Sequence, residues 1–172
     1  MTNALILQTA VPSDAPRIAR LCRDEVETGL GWRWRAGAVA RLMSRPQCEV
    51  AVARLGSELV GFAAMELGPN IAELLLLAVS REHRREGIGT ALLDFLEDEA
   101  RTAGVEAVWL HVRARNNPAI SFYEMGGYRI EEHLRNHYAV HEDALRMQHR
   151  LAEQITFMSE PPDLAALLRG QG

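Results

Sequence analysis

Between Ile71 and Val79 the chain runs through nine residues with a single charge, Glu73. A stretch that apolar fits a strand covered on both faces, and it falls far short of the ~20 residues a membrane-crossing helix needs. Beyond it, Ile88, Leu92, Phe95 and Leu96 recur at three- and four-residue spacing, which predicts a helix from about Gly87 to Ala103, with Gly104 placed to end it. A doubly covered strand leading into an amphipathic helix requires layers on both sides of a sheet. The chain is therefore expected to be α/β.

The remaining segments extend this pattern. Leu5 to Thr9 reads as a strand, and a helix is expected from Ser13 or Asp14 to about Glu27. Gly29 to Arg35 reads as a loop and Ala36 to Ser44 as a second helix. Glu49–Arg54 and Leu59–Glu66 form a predicted hairpin around Leu55-Gly56-Ser57-Glu58. Glu106 to Val112 alternates, with Val108, Leu110 and Val112 on one face and Trp109, His111 and Arg113 on the other. A short helix is expected over Pro118–Met125, with strands near Tyr128–His133 and Ala144–Leu151. Residues 1–151 are read as one domain and 152–172 as a tail.

Charge and cysteine content narrow the partners. The 172 residues carry a formal net charge of -4, which argues against a nucleic-acid or membrane-surface binder. All 19 basic residues are Arg, so lysine-dependent phosphate loops and Schiff bases are excluded. Cys22 and Cys48 make no disulfide framework, and Cys22 sits at helical spacing among apolar residues. Met1 to Ala10 lacks the pattern of a secretory signal. A cytoplasmic setting is expected, as a monomer or homodimer. His133, His137 and His141 recur every four residues, but on a predicted strand and loop; no metal site is expected.

The segment Arg84-Arg85-Glu86-Gly87-Ile88-Gly89-Thr90 joins strand to helix. Glycines admit close backbone approach, and the first helical turn offers unpaired N–H groups suited to a phosphate or pyrophosphate. Two arginines add charge. A Walker loop needs Lys, and a dinucleotide fingerprint needs glycine where Leu92 stands, so neither nucleotide loop fits. A turn that only packs helix against strand is the alternative.

Arg84-x-x-Gly87-x-Gly89, after Leu77-Ala78-Val79 and before Ala91-Leu92-Leu93, resembles the acetyl-coenzyme A pyrophosphate loop of the GNAT superfamily. Many members have Pro where this chain has Arg81. Asn116, Ala119, Phe122-Tyr123-Glu124 and Gly127-Tyr128 resemble the family's second signature, with Tyr128 where Phe is common. The resemblance runs from about Ala4 to Leu151. It implies a single-domain fold with a mixed, mostly antiparallel sheet of about seven strands flanked by about four helices. It also implies acetyl-CoA as co-substrate, held by Leu77, Ala78, Val79, Arg84, Arg85, Glu86, Gly87, Ile88, Gly89, Thr90, Asn116 and Tyr123.

The chemistry asks for a base, an oxyanion donor and an acid. A free α-amine has a pKa near 8 and a Lys amine near 10.4, so at neutral pH roughly a tenth of the former, and well under one per cent of the latter, is uncharged. Glu73, the lone charge in its strand, is one candidate base; the other reading is a carboxylate that reaches solvent. His111 is the second, with an ordinary pKa of roughly 6.5. Trp109-Leu110-His111-Val112 resembles the catalytic-histidine strand of some protein N-terminal acetyltransferases, whose bacterial ribosomal-protein relatives carry Glu there. A space-filling His beside Trp109 is the alternative. By resemblance Tyr123 is the acid that protonates the leaving thiolate, against an ordinary half-buried Tyr, and a backbone N–H near Leu77 to Val79, at a bulge, receives the oxyanion.

Trp32 and Trp34 are expected either to shape the acceptor pocket or to close the core. Arg135-Asn136-His137-Tyr138 resembles the peptide-gripping segment of protein N-terminal acetyltransferases, with His137-Tyr138 in place of Tyr-Tyr. The expected activity is acetyl transfer from acetyl-CoA to a primary amine, a protein or peptide N-terminus. The alternatives are a small amine (amino acid, polyamine, aminoglycoside) and a non-catalytic acyl-CoA-binding module.

Overall fold

The computed structural model describes residues 4–27, 32–138 and 142–151. The expected tail, 152–172, and His141 lie outside them. Seven strands form one sheet in the order β1-β2-β3-β4-β5-β7-β6. They are β1 (Leu5–Thr9), β2 (Cys48–Leu55), β3 (Glu58–Leu67), β4 (Ile71–Val79), β5 (Ala107–Arg113), β6 (Arg129–Tyr138) and β7 (Glu142–Arg150). Of the six pairings, β4–β5 alone is parallel. Four α-helices flank the sheet: α1 (Ala15–Leu21), α2 (Ala36–Met43), α3 (Ile88–Thr102) and α4 (Asn117–Met125).

Each face of the sheet has its own core. On one, Leu92, Leu93, Leu96 and Ala100 of α3 pack on Val60, Ala63, Val108 and Leu110. On the other, Ile18, Cys22, Val39 and Leu42 cover Val52, Phe62, Leu76 and Ala78. Each fully buried Leu or Ile adds about 1.5–3 kcal/mol. Gly61 lets α3 sit close: a Cβ there would lie 3.1 Å from the Ala78 carbonyl oxygen and from Leu92 Cδ1.

Two elements depart from expectation. The first helix is not one uniform α-helix: Cys22–Val26 continues it as a π-helical turn, a feature of functional segments. And β6 runs on to Tyr138, five residues past His133, as an edge strand whose residues are almost all exposed. Its polar sequence gives no alternation to read; β7 supplies the pairing instead.

Candidate active site

A bulge in β4 sets the site, and it falls at Leu75, earlier in the strand than the Leu77 to Val79 position the resemblance implied. Met65 pairs with Leu74 and Ala64 with Leu76, so Leu75 is an extra residue on β4. The bulge reverses which side chains face which core. Ala72 and Leu74 join the α3 side, whereas Leu76 and Ala78 join the α1–α2 side and Leu77 and Val79 return to α3. The alternation of strand side chains then puts Glu73 on the α1–α2 face.

The same region splits the sheet. β4 and β5 pair over four residues, from Ile71↔Ala107 to Leu74↔Leu110, and no further. Beyond that point β4 continues to Val79 and β5 to Arg113 with no ladder between them, so the sheet is split there in a wedge. Val108, Leu110 and Val112 belong to the α3 core. Trp109, His111 and Arg113 therefore project to the α1–α2 face, with His111 at the wedge's start. Glu73 is level with Trp109, about 7 Å of strand before His111.

His111 is half-buried in a ring cluster. Trp109 meets it edge-on at 4.8 Å between ring centroids, and His137 of β6 lies at 4.4 Å. Burial lowers its pKa, and His137 and Arg146 push the same way, while Glu132 opposes them. His111 thus stays neutral, able to accept a proton, at lower pH than a free imidazole. Glu73 is shifted upward, first by burial and then by Glu66.

On the opposite side, Tyr123 of α4 packs against the α3 core, edge-on to Phe122 and Tyr128. Burial, then Tyr138, holds its pKa above the usual tyrosine range, keeping the hydroxyl in the form that donates a proton. His111 and Tyr123 thus lie on opposite faces of the split sheet.

The glycine loop caps α3. Gly87 has φ +79°, and a Cβ there would meet nothing within 4 Å, so its outer side is open to a ligand. Arg85 also takes a positive φ, 64°. Ala91 donates to the Gly87 carbonyl, starting the helix and leaving the earlier N–H groups of the turn outside its hydrogen-bond ladder. A Cβ on Gly89 would stand 3.3 Å from the Phe122 ring, so this glycine fits α3 against α4. Glu86 lies 3.4 Å from His83, and Thr90 is exposed. Arg84 is engaged within the protein: it pairs with Glu25 and donates to the Val79 carbonyl at 3.3 Å. Asn116 caps α4, its Oδ1 accepting the Ala119 N–H at 3.3 Å.

The residues proposed for the acceptor divide. Trp34 packs against the α1–α2 core. Trp32 stays 37% exposed between the guanidinium groups of Arg35 (5.2 Å) and Arg23 (5.7 Å). Tyr138 ends β6, 5.1 Å from His137 between ring centroids. Of the spaced histidines, His133 instead pairs with Asp143 at 2.9 Å. Among the described residues no three His, Cys, Asp or Glu side chains group to hold a metal, and no helix is long and apolar enough to cross a membrane.

Several participants escaped the sequence reading. Glu27 is buried and accepts the Arg33 and Trp34 N–H groups at 2.8 and 3.2 Å, fixing the Trp loop. Arg113 donates to the Val26 carbonyl at 3.3 Å and pairs with Glu142 at 3.6 Å. Acidic and arginine residues beside a glycine-rich loop read as a solvated face; only the fold turns them inward.

A family model described as acetyltransferase (GNAT) family matches residues 17–128, more than half of the chain. The chain belongs to this family. Among curated members, it is 39% identical over 92 residues to the ribosomal protein bS18-alanine N-acetyltransferase of Salmonella typhimurium, a match covering 52% of this chain and 62% of that protein. The Drosophila melanogaster N-alpha-acetyltransferase 60 is 38% identical over 80 residues, 45% of this chain and 29% of that one. The chain spans less than two thirds of the length of these relatives. Among solved structures of the family's fold, Ard1 from Thermoplasma volcanium has a TM-score of 0.78 at 27% identity, covering 87% of this chain and 99% of that one. The Escherichia coli ribosomal-protein-S18-alanine N-acetyltransferase has a TM-score of 0.76 at 26% identity, covering 90% and 100%.

Proposed function

We propose that this chain transfers an acetyl group from acetyl-CoA to the α-amine of a protein or peptide. The observation that carries the reading is the split between β4 and β5 just past Leu74 and Leu110, with His111 on one face of it and Tyr123 on the other. Open space at Gly87 and the N–H groups of the following turn suit the coenzyme's pyrophosphate. The relatives named for acetylating ribosomal-protein and N-terminal amines support the acceptor class.

In this reading the thioester lies in the wedge and the amine arrives from the α1–α2 face. His111 removes the amine's proton, with Glu73 assisting through water. Nitrogen attacks the carbonyl carbon, and a backbone N–H near the Leu75 bulge receives the oxyanion. The C–S bond then breaks, and Tyr123 gives its proton to the departing thiolate. Free, buried Cys22 and Cys48 fit a reducing, cytoplasmic setting, and burial pushes the Cys22 thiol up to about 12, so it does not compete as a nucleophile.

Thiol release from acetyl-CoA, measured against peptides with free and blocked N-termini, polyamines, amino acids and aminoglycosides, tests the reading. It predicts turnover with free α-amino peptides. Turnover confined to polyamines or aminoglycosides would overturn the acceptor assignment, and failure to bind acetyl-CoA would overturn the whole.

A further inference from the structure

The acceptor face carries one polar group with nothing to do. Arg146 of β7 stands directly opposite His111 in the β5–β7 register and opposite Glu132 in the β6–β7 register. Its Nη1 lies 3.4 Å from a Glu132 carboxylate oxygen, in an ion pair whose side chains are 42% and 49% exposed. Its Nε is buried, and finds no acceptor among the described residues. A guanidinium keeps its protons in proteins, so this N–H cannot be silenced by titration. Buried donors of this kind are rarely left unpaired without a reason.

We propose that Arg146 determines acceptor specificity: its Nε–H receives an oxygen of the acceptor, a carbonyl or carboxylate carried close to the reacting amine. Directly opposed residues of an antiparallel pair have their Cβ atoms about 4.5–5.5 Å apart and share a face. An amine delivered to His111 therefore brings its α-substituent over Arg146. An α-aminoacyl group has a carbonyl two bonds from its nitrogen; polyamines and simple alkylamines have none. Glu132 pairs with the far nitrogen and leaves Nε for that oxygen. His137, stacked beside His111, bounds the same space. This assignment rests on the transferase reading and narrows it to α-aminoacyl acceptors.

The test compares the full-length protein with Arg146→Leu and Arg146→Lys, using acetyl-CoA and four acceptors. These are a peptide with a neutral second residue, the same peptide with Asp there, a free amino acid, and an alkylamine of matched pKa. For Arg146→Leu the expected result is a rise of ~10-fold or more in KM for the α-aminoacyl acceptors, with kcat and the KM for acetyl-CoA nearly unchanged, the pattern of a lost binding contact. Assayed well above the acid limb set by His111, whose pKa Arg146 also depresses, the alkylamine KM stays unchanged. Arg146→Lys, which keeps the charge but loses the Nε donor, shows the same split and guards against a variant that fails to fold. A loss shared by the neutral and acidic peptides assigns the backbone carbonyl; a loss confined to the Asp peptide or the amino acid assigns a carboxylate. Equal effects on alkylamine and peptide, or none on either, overturn the assignment while leaving the transferase standing. No turnover by the wild type with any acceptor overturns both.

Discussion

Glu25, in the π-helical turn, reaches the proposed coenzyme loop: its carboxylate pairs with Arg84 and accepts the Arg81 N–H at 3.1 Å. Two residues on, Glu27 holds the backbone of the Trp loop, and the carbonyl of Val26 between them takes the Arg113 side chain. Three successive residues thus anchor the proposed coenzyme loop, the last residue of β5 and the proposed acceptor loop. The wider π-turn permits this because it re-aims side chains that a plain α-helix would send elsewhere.

Glu25→Gln is expected to raise the KM for acetyl-CoA, leave the acceptor KM within about 2-fold and change stability by less than about 1 kcal/mol, since the ion pair is partly exposed. Glu27→Gln is expected to do the opposite, raising the acceptor KM and destabilising by about 1.5–3 kcal/mol, because a buried charged acceptor of two N–H groups is lost. Steady-state kinetics with both substrates varied, beside chemical denaturation, separates the two. Identical effects would contradict the division of labour.

The pH profile of kcat/KM follows from the shift at His111. Its folded pKa lies below the ordinary value of roughly 6.5, so the acid limb of activity should fall below that point. His137→Asn removes one of the groups that depress it, and the limb should move upward toward the ordinary value. The same shift affects stability. As pH falls through roughly 6.5 the unfolded chain takes up this proton before the folded one, so stability present above that pH is lost below it. A limb unmoved by His137→Asn would contradict the coupling.

Tyr128 is placed by Glu97. The Tyr128 hydroxyl donates to the buried Glu97 carboxylate at 2.8 Å, with His149 at 3.1 Å and Arg101 at 3.3 Å completing its contacts. Tyr128→Phe alone is expected to destabilise by about 1.5–3 kcal/mol, as a hydrogen bond to a buried charge is lost. A double-mutant cycle with Glu97→Gln should return a coupling of about 1 kcal/mol or more. Additive effects would contradict the pairing.

The two loop glycines should fail differently. Gly87→Ala meets no atom but strains a left-handed backbone, which costs roughly 1–2 kcal/mol. Gly89→Ala has an ordinary backbone but presses on Phe122, beside Tyr123, so it should lower kcat as well as coenzyme affinity. Pre-steady-state thiol release tells a binding defect from a chemical one.

Much of this architecture was legible in the sequence. The apolar run at Ile71–Val79, the α3 stripe and the alternation of β5 carry their periodicity openly, and the strand and helix order follows from them. His111 could be placed on the face opposite Leu110 from alternation alone. What was not legible depends on contacts between distant segments. The Leu75 bulge has no composition signal, since the six consecutive apolar residues Leu74 to Val79 hide any change of face. Arg146 becomes meaningful only when β7 inserts between β5 and β6, and Glu97 looks like one more charge on a helix until Tyr128 closes over it. The length of β6 is set by β7's backbone, not by its own side chains.

The wedge between β4 and β5 is proposed to deliver an acetyl group to an amine at His111. The most direct test is a single-turnover reaction of enzyme, acetyl-CoA and a free α-amino peptide, followed by intact-mass analysis, with wild type, His111→Asn and Tyr123→Phe in parallel. One acetyl group is expected on the peptide α-amine with the wild type, and rates lower by about 10²–10⁴-fold when a proton-transfer residue is removed. Coenzyme bound without any acetylated product, or full rates in both variants, would contradict that proposal.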